Sequence, residues 1–229
     1  MKLSVVMPVY NEEATLEEIV SRVQATPFEK ESLLVDDGSK DRSREIMAEL
    51  EKAHDNIRCF YHDQNQGKGG ALSTGFRQVE GDVVIIQDAD LEYDPNDYEV
   101  LLRPIQEGKA DVVFGSRFLG GPYVRVHMFY HYLGNRFFTF LSNMFTNLNL
   151  TDMETCYKVF KKEVAAKLDI QSKTFAVEPE ITAKVARMKV RIYEVPISYS
   201  GRDYAEGKKI GPKDAVIAVF AILRWALPI

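Results

Sequence analysis

The chain has 229 residues, of which 45% are hydrophobic, enough to bury a sizeable core as one α/β domain or one domain with a small appendage, and this excludes a disordered chain. A formal net charge of −5 and a pI near 5.5 argue against a broad nucleic-acid footprint. Cys59 and Cys156, the only two cysteines, lack CxxC spacing, so a disulfide framework or structural zinc site has no support and a reducing, cytoplasmic setting is expected.

In chain order, MKLSVVMPVYNEE lacks the long apolar core and cleavage site of a secretion signal, and Leu3 to Val9 reads as a first strand. Asn11 is expected to cap a helix in which Ala14, Leu16, Ile19, Val20 and Val23 recur at helical spacing. Leu33 to Val35 predicts a second strand ending at Asp36-Asp37-Gly38-Ser39, and Ile46, Met47 and Leu50 a second helix. A strand over Ile57 to Tyr61, a helix over Gly67 to Val79 and a strand over Val83 to Ile86 follow, with a further helix from near Pro95 and a strand over Ala110 to Ser116. This alternation predicts a mainly parallel sheet with helices on both faces, and ligands beyond the carboxyl ends of the strands.

Residues 124–148, VRVHMFYHYLGNRFFTFLSNMFTNL, predict a long helix or a helix pair broken near Gly134. Their Phe, Tyr, Met and His content fits either a helix buried in the core or a surface that meets lipid. Strands over Tyr157 to Phe160 and Val190 to Val195 flank a helix over Glu178 to Met188, and GRDYAEGKKIGPKD is a polar loop of the kind that orders around a ligand. The last stretch, AVIAVFAILRWALPI, falls short of the roughly 18 uninterrupted apolar residues of a membrane span. It reads as an amphipathic, interfacial helix or as a C-terminal core helix.

In VVIIQDADLEY, Asp88, Asp90 and Glu92 occupy alternate positions after an apolar run. On an extended strand they share a face and converge on one point, where they repel unless a hard divalent cation sits among them. The bland alternative has one acid capping the next helix and the others solvated. In NQGKGGALSTG, glycines let backbone approach a ligand and Lys68 can meet a phosphate. The loop matches neither the P-loop nor GxGxxG after the first strand, so ATPase and dinucleotide readings lose their support.

PVYNEE, DDGSKDRS, NQGKGGAL, DADLE, GSR, LTDMETCYKVF and GRDYAEGKKIG, in that order, resemble the family 2 glycosyltransferases. Within them the chain is similar to the polyprenyl-phosphate sugar transferases, such as the dolichol-phosphate mannose and glucose synthases. The resemblance implies a GT-A fold: one Rossmann-like α/β domain with a mixed, mainly parallel sheet over residues 1–211, and an amphipathic C-terminal helix, residues 212–229, for interfacial docking. It implies inverting, metal-dependent transfer of a hexose from a nucleotide sugar, of GDP-mannose or UDP-glucose type, to a polyprenyl phosphate. The enzyme would act as a peripheral protein on the cytoplasmic face of the membrane, on lipid, a membrane subunit or a second copy of the chain. A family 2 enzyme acting on a glycan or other hydroxyl acceptor is the alternative. The intact acidic and basic motifs argue against a non-catalytic binding module.

Residue by residue, the resemblance assigns Pro8, Tyr10, Glu12 and Asp37 to the nucleoside, with Lys68 and Asp88 also on the donor, and Asp88, Asp90 and Glu92 to Mg²⁺ or Mn²⁺. Part of the family carries an amide where this chain has Glu92. Ser116 and Arg117 approach the acceptor or sugar, and Arg202, Lys208 and Lys209 clamp phosphates when the late loop closes. Arg125, His127, His131 and Arg136 stand where mannose synthases have a more basic helix start, and Arg125 joins the acceptor-phosphate set. Asp90, Arg117, Asp152 and Arg202 form the expected catalytic group, Asp152 being the base that a hydroxyl acceptor would require.

Overall fold

The computed structural model describes residues 1–120, 125–126, 128–174, 176–201 and 212–226, the side chains of 212–216 and 226 excepted. The elements are β1 (Leu3–Val9), α1 (Leu16–Ala25), β2 (Lys30–Asp36), α2 (Ser43–Ala53), β3 (Ile57–Tyr61), α3 (Lys68–Phe76), β4 (Val83–Ile86), α4 (Tyr98–Gln106) and β5 (Val112–Ser116). They continue with α5 (Phe129–Thr146), β6 (Lys158–Lys161), α6 (Lys162–Ala165), α7 (Val177–Arg187), β7 (Ile192–Pro196) and α8 (Pro212–Ala226). Seven strands form one mixed sheet in the order β3-β2-β1-β4-β6-β5-β7. Only β6 runs antiparallel, against β4 and β5, while the other pairings are parallel.

That one reversal matters for function. Because β6 is inverted, its first residue, Lys158, stands at the same edge as the carboxyl ends of β1, β2, β4 and β5. The apolar runs of β1, β4 and β5 are buried, as strands covered on both faces must be. Leu16, Ile19, Val20 and Val23 of α1, with Leu101, Leu102 and Ile105 of α4, pack into the same core.

The structure corrects two readings at α1. Its first helical residue is Leu16, and Asn11 is not its cap. Asn11 takes a left-handed φ of 53°, and its side-chain oxygen accepts the Lys40 amide proton at 2.8 Å. The residue latches two loops together rather than starting a helix.

The aromatic segment is one helix, α5, continuous through Gly134 and closed by Asn147 at a left-handed φ of 56°. It is not a core helix. Its inward face is polar and small: Asn135, Thr139 and Asn143 bond to Arg117, Met153 and Leu150, and Ser142 is buried beside them. Its aromatic face looks outward, with Phe140 and Met144 each 62% exposed. Helix α8 packs on α5 and α7. Trp225 is only 4% exposed, against Ala183 and Ala221, where its indole N–H donates to Ser172 Oγ at 3.2 Å. Phe220 on the same helix is 69% exposed. Among the described residues, no helix is long and apolar enough to cross a membrane.

Candidate active site

The loops after β1 and β2 are stitched to each other. Asp37 N donates to Val9 O at 2.8 Å, Asn11 N to Ser39 Oγ at 3.0 Å and Glu12 N to Ser43 Oγ at 2.9 Å. Thr15 Oγ1 ties this corner to the turn after β4 by donating to Ala89 O at 2.7 Å. Pro8 is half-buried within β1, Tyr10 is exposed just beyond it, and Glu12 accepts from Thr15 at 3.1 Å.

Asp37 is buried. Its carboxylate receives the Gln66 and Gly67 backbone N–H groups at 2.8 and 2.7 Å, and its Oδ1 lies 2.8 Å from His62 Nδ1. It therefore holds the glycine loop in place from below. Gly67 sits at φ 81°, and a Cβ on Gly69 would stand 1.8 Å from the Ser172 carbonyl oxygen. Only glycine lets this loop lie so close to residues 172–174, and that closeness sets where Lys68 begins α3.

From Lys68 an alternating charge chain runs into the sheet. Lys68 Nζ is 2.9 Å from Asp88 and 3.1 Å from Glu178 Oε1, and Glu178 pairs in turn with the fully buried Lys158. Burial pulls the Lys68 ammonium down, but Asp88, Cys156 and Glu178 outweigh it and hold it well above the usual lysine value. Lys68 is thus a permanent cation beside Asp88.

The turn after β4 differs from the expected strand. Extended structure stops at Ile86, Leu91 adopts a left-handed φ of 63°, and the Glu92 amide donates to Asp90 Oδ1 at 3.2 Å. The three acids therefore do not share one face. Asp88 turns to Lys68, while Glu92 accepts the Tyr199 hydroxyl proton at 2.7 Å. Among the described residues, no three His, Cys, Asp or Glu side chains close around one point. Asp88 and Asp90, half-buried on one turn, still supply the hard carboxylate oxygens that suit Mg²⁺ or Mn²⁺. Such an ion would take its remaining ligands from diphosphate and water.

Beyond β5, Arg117 and Asp152 form a fork. Arg117 Nε and Nη2 donate to the two oxygens of Asp152 at 2.6 and 2.7 Å, the Arg117 backbone N–H adds a third bond at 3.1 Å, and Asn135 Oδ1 accepts from Nη2 at 3.1 Å. The guanidinium lies 5.1 Å from the Tyr199 ring centroid. Burial opposes its charge, yet Asp152 keeps Arg117 well above its ordinary value. Ser116 is buried with its hydroxyl 2.6 Å from Thr151 Oγ1, a supporting contact. Arg125 is exposed and donates to Gly201 O at 2.7 Å, and Arg136 lies exposed on α5. Arg202, Lys208 and Lys209, with His127, lie outside the described residues.

Sequence reasoning missed Glu178, Lys158, Tyr199 and Glu194. Glu194 accepts the backbone protons of Thr151 and Asp152 at 2.9 and 3.1 Å and so orients the Asp152 carboxylate. None carried a usable signal: Glu178 lies 90 residues from Asp88 and reads as an ordinary acid in the first turn of a helix.

The geometry has relatives. Residues 4–169 match the profile of Glycosyl transferase family 2. A dolichol-phosphate mannosyltransferase of Pyrococcus furiosus is 28% identical over 98% of this chain, which spans 64% of that protein's length. An undecaprenyl-phosphate mannosyltransferase of Micrococcus luteus is 29% identical over 99% of this chain and 95% of its own. The fold is similar to that of glucosyl-3-phosphoglycerate synthase from Mycobacterium tuberculosis, crystallised with Mn²⁺, UDP and phosphoglyceric acid, at a TM-score of 0.75 and 19% identity, covering 98% of this chain and 78% of that one. With the family match running from β1 past α6, over a single α/β domain of the GT-A kind, this chain belongs to Glycosyl transferase family 2.

Proposed function

We propose that this glycosyltransferase moves a hexose, with inversion, from a nucleotide sugar of GDP-mannose or UDP-glucose type to a polyprenyl phosphate at the cytoplasmic face of a membrane. The observation that carries this reading is the Arg117–Asp152 fork, set across the sheet edge from the Lys68–Asp88 pair. An anionic acceptor needs a fixed cation and no base, and Arg117 is that cation. Both oxygens of Asp152 are spent on Arg117, an arrangement that disfavours the base required by a hydroxyl acceptor.

In the displacement, an acceptor phosphate oxygen forms its bond to the anomeric carbon from the face opposite the diphosphate. The carbon–oxygen bond to the diphosphate breaks, and the electron pair leaves with the nucleotide. A lipid monophosphate is largely dianionic near neutral pH, its second pKa being about 6 by analogy with phosphoserine, so no proton need be removed. Lys68 stabilises the departing charge, and Arg117 orients the incoming phosphate. Pro8, Tyr10 and Glu12 line the nucleoside side, and Arg125, Arg202, Lys208 and Lys209 supply further phosphate contacts. Asp88 and Asp90 would hold Mg²⁺ or Mn²⁺, which neutralises charge on the diphosphate when bound. Two relatives named for mannosyl transfer to dolichol or undecaprenyl phosphate support the acceptor, and the solved synthase holding Mn²⁺ and UDP supports the metal.

The outward aromatic face of α5, continued by Ile217, Phe220 and Leu223 of α8, supports peripheral docking on a bilayer. An acceptor that stays in lipid requires the enzyme to come to the surface. The test is transfer of radiolabel from UDP and GDP sugars to short-chain polyprenyl phosphate, with Mg²⁺, Mn²⁺ or EDTA, for the wild type and Asp90→Ala. Metal-dependent label in the lipid phase, reduced at least ~100-fold in the variant, is the expected outcome. Label reaching only a glycan hydroxyl would replace this acceptor with the second class.

A further inference from the structure

One lysine stands between two carboxylates that have different further uses. Lys68 Nζ lies 2.9 Å from each oxygen of Asp88, so the ammonium straddles the carboxylate that Mg²⁺ or Mn²⁺ would use. Lys68 and Asp88 keep 13% and 21% of their side-chain surface exposed, which leaves the pair open to ligands. On its other side Nζ is 3.1 Å from Glu178 Oε1, within ion-pair reach but outside hydrogen-bonding geometry, and that buried oxygen makes no hydrogen bond among the described residues. Glu178 Oε2, in contrast, accepts from Lys158 Nζ, which is fully buried and also donates to Thr155 O. A buried acceptor normally finds a donor, since an unmade bond leaves its desolvation uncompensated. Lys68 is the donor placed to reach it.

The surroundings fix Glu178 and free the end of Lys68. Glu178 stands in the first turn of α7 and is clamped by Lys158, so it stays where it is when Lys68 changes partner. Lys68 opens α3, whose start is set by the glycine approach to residues 172–174, and its flexible stem can exchange one carboxylate for the other with the helix in place. Asp88, Lys68, Glu178 and Lys158 carry two negative and two positive charges, a balanced set. A divalent ion arriving at Asp88 alone breaks that balance, and ion and ammonium repel each other at short range in a partly buried site. A diphosphate arriving with the ion offsets the added charge, and Glu178 keeps the displaced ammonium beside the site rather than in solvent.

We propose that Lys68 competes with the divalent ion for Asp88, and that Glu178 is the positioning residue that receives Lys68 when Asp88 turns to the ion. The site therefore holds the bare ion weakly and holds it tightly only together with a nucleotide diphosphate, whose negative charge offsets both cations. Metal entry becomes conditional on donor entry. This rests on the reading that Asp88 serves the metal of a nucleotide-sugar enzyme, and adds that the chain's own cation governs when that metal binds.

The test reads Mn²⁺ binding from the electron paramagnetic resonance signal of the free ion, without nucleotide and with saturating UDP or GDP, and takes a melting curve of each variant. The wild type is expected to bind bare Mn²⁺ roughly tenfold or more weakly than Mn²⁺ with the nucleotide it accepts. Lys68→Met binds bare Mn²⁺ roughly tenfold or more tightly than the wild type and binds the nucleotide less well, so its two Mn²⁺ affinities converge. Glu178→Gln alone would strand the buried Lys158, so it is made together with Lys158→Met. That pair loses roughly tenfold or more of the nucleotide-loaded Mn²⁺ affinity, because Lys68 stays on Asp88. Adding Lys68→Met to it restores bare-ion binding to the level of Lys68→Met alone, a recovery that a merely structural defect does not allow. Bare-ion affinity unchanged in Lys68→Met overturns the inference, as does a wild type that binds the bare ion as tightly as the nucleotide-loaded one. A paired variant with wild-type affinities, or one that Lys68→Met fails to rescue, overturns the role given to Glu178. A wild type that binds neither UDP nor GDP, or binds them equally well in EDTA, overturns the underlying reading of a metal-dependent donor site and this inference with it.

Discussion

At the scale of single residues, Glu154 makes stability depend on pH. Its folded carboxyl sits near 7, above the ordinary value of 4.5, so the folded state holds the proton more tightly than the unfolded chain does. The associated stability is complete below pH ~4.5 and is lost as pH rises through about 7, on the order of 3 kcal/mol at most. Glu154→Gln removes that slope. It should therefore melt above the wild type at pH 8 and close to it at pH 4.5, as thermal unfolding at the two pH values would read. A stability profile unchanged by the substitution would show that the buried carboxyl is relieved in some other way.

At the scale of elements, two local sequences carry opposite lessons. The glycine loop before α3 was readable as a close-approach loop, but its partner was not. Gly69 faces the Ser172 carbonyl across more than a hundred residues, and the Asp37 carboxylate anchors the loop through the Gln66 and Gly67 amides. Gly69→Ala should displace Lys68 and weaken nucleotide binding roughly tenfold, with a loss of about 1–3 kcal/mol in stability. Titration with UDP and GDP, together with urea unfolding, measures both. Helix α5 teaches the converse. Its aromatic content was legible, but the choice between core and surface turned on which face bonds to neighbours, and the small polar residues Asn135, Thr139, Ser142 and Asn143 took the inward side.

At the scale of the whole molecule, α5 and α8 together offer Phe129, Phe137, Phe140, Met144, Phe220 and Leu223 to the outside. Exposed apolar area on this scale marks an interaction site. Phe140→Glu with Phe220→Glu should abolish co-sedimentation with vesicles of mixed anionic and zwitterionic lipid, while leaving nucleotide affinity within twofold. Vesicle binding that survives both charges would assign this face to a protein partner or a second copy. Trp225 is not part of that surface, since the α8 face that carries it is used up on α7.

The amino-acid sequence alone determined the strand and helix alternation, the position of the motifs at strand ends and the family. Those features arise from periodicity and short contiguous motifs, which act over a few residues and leave a local imprint. The sequence did not determine which acids meet which cations. Alternate spacing put Asp88, Asp90 and Glu92 on one face, but the left-handed turn at Leu91 separates them, sending Asp88 to Lys68 and Glu92 to Tyr199. The inversion of β6, the buried run from Lys158 through Glu178 to Lys68 and the fork between Arg117 and Asp152 were decided only by tertiary structure. Each depends on groups 20 to 110 residues apart being desolvated together, and no local pattern encodes the energy of that pairing.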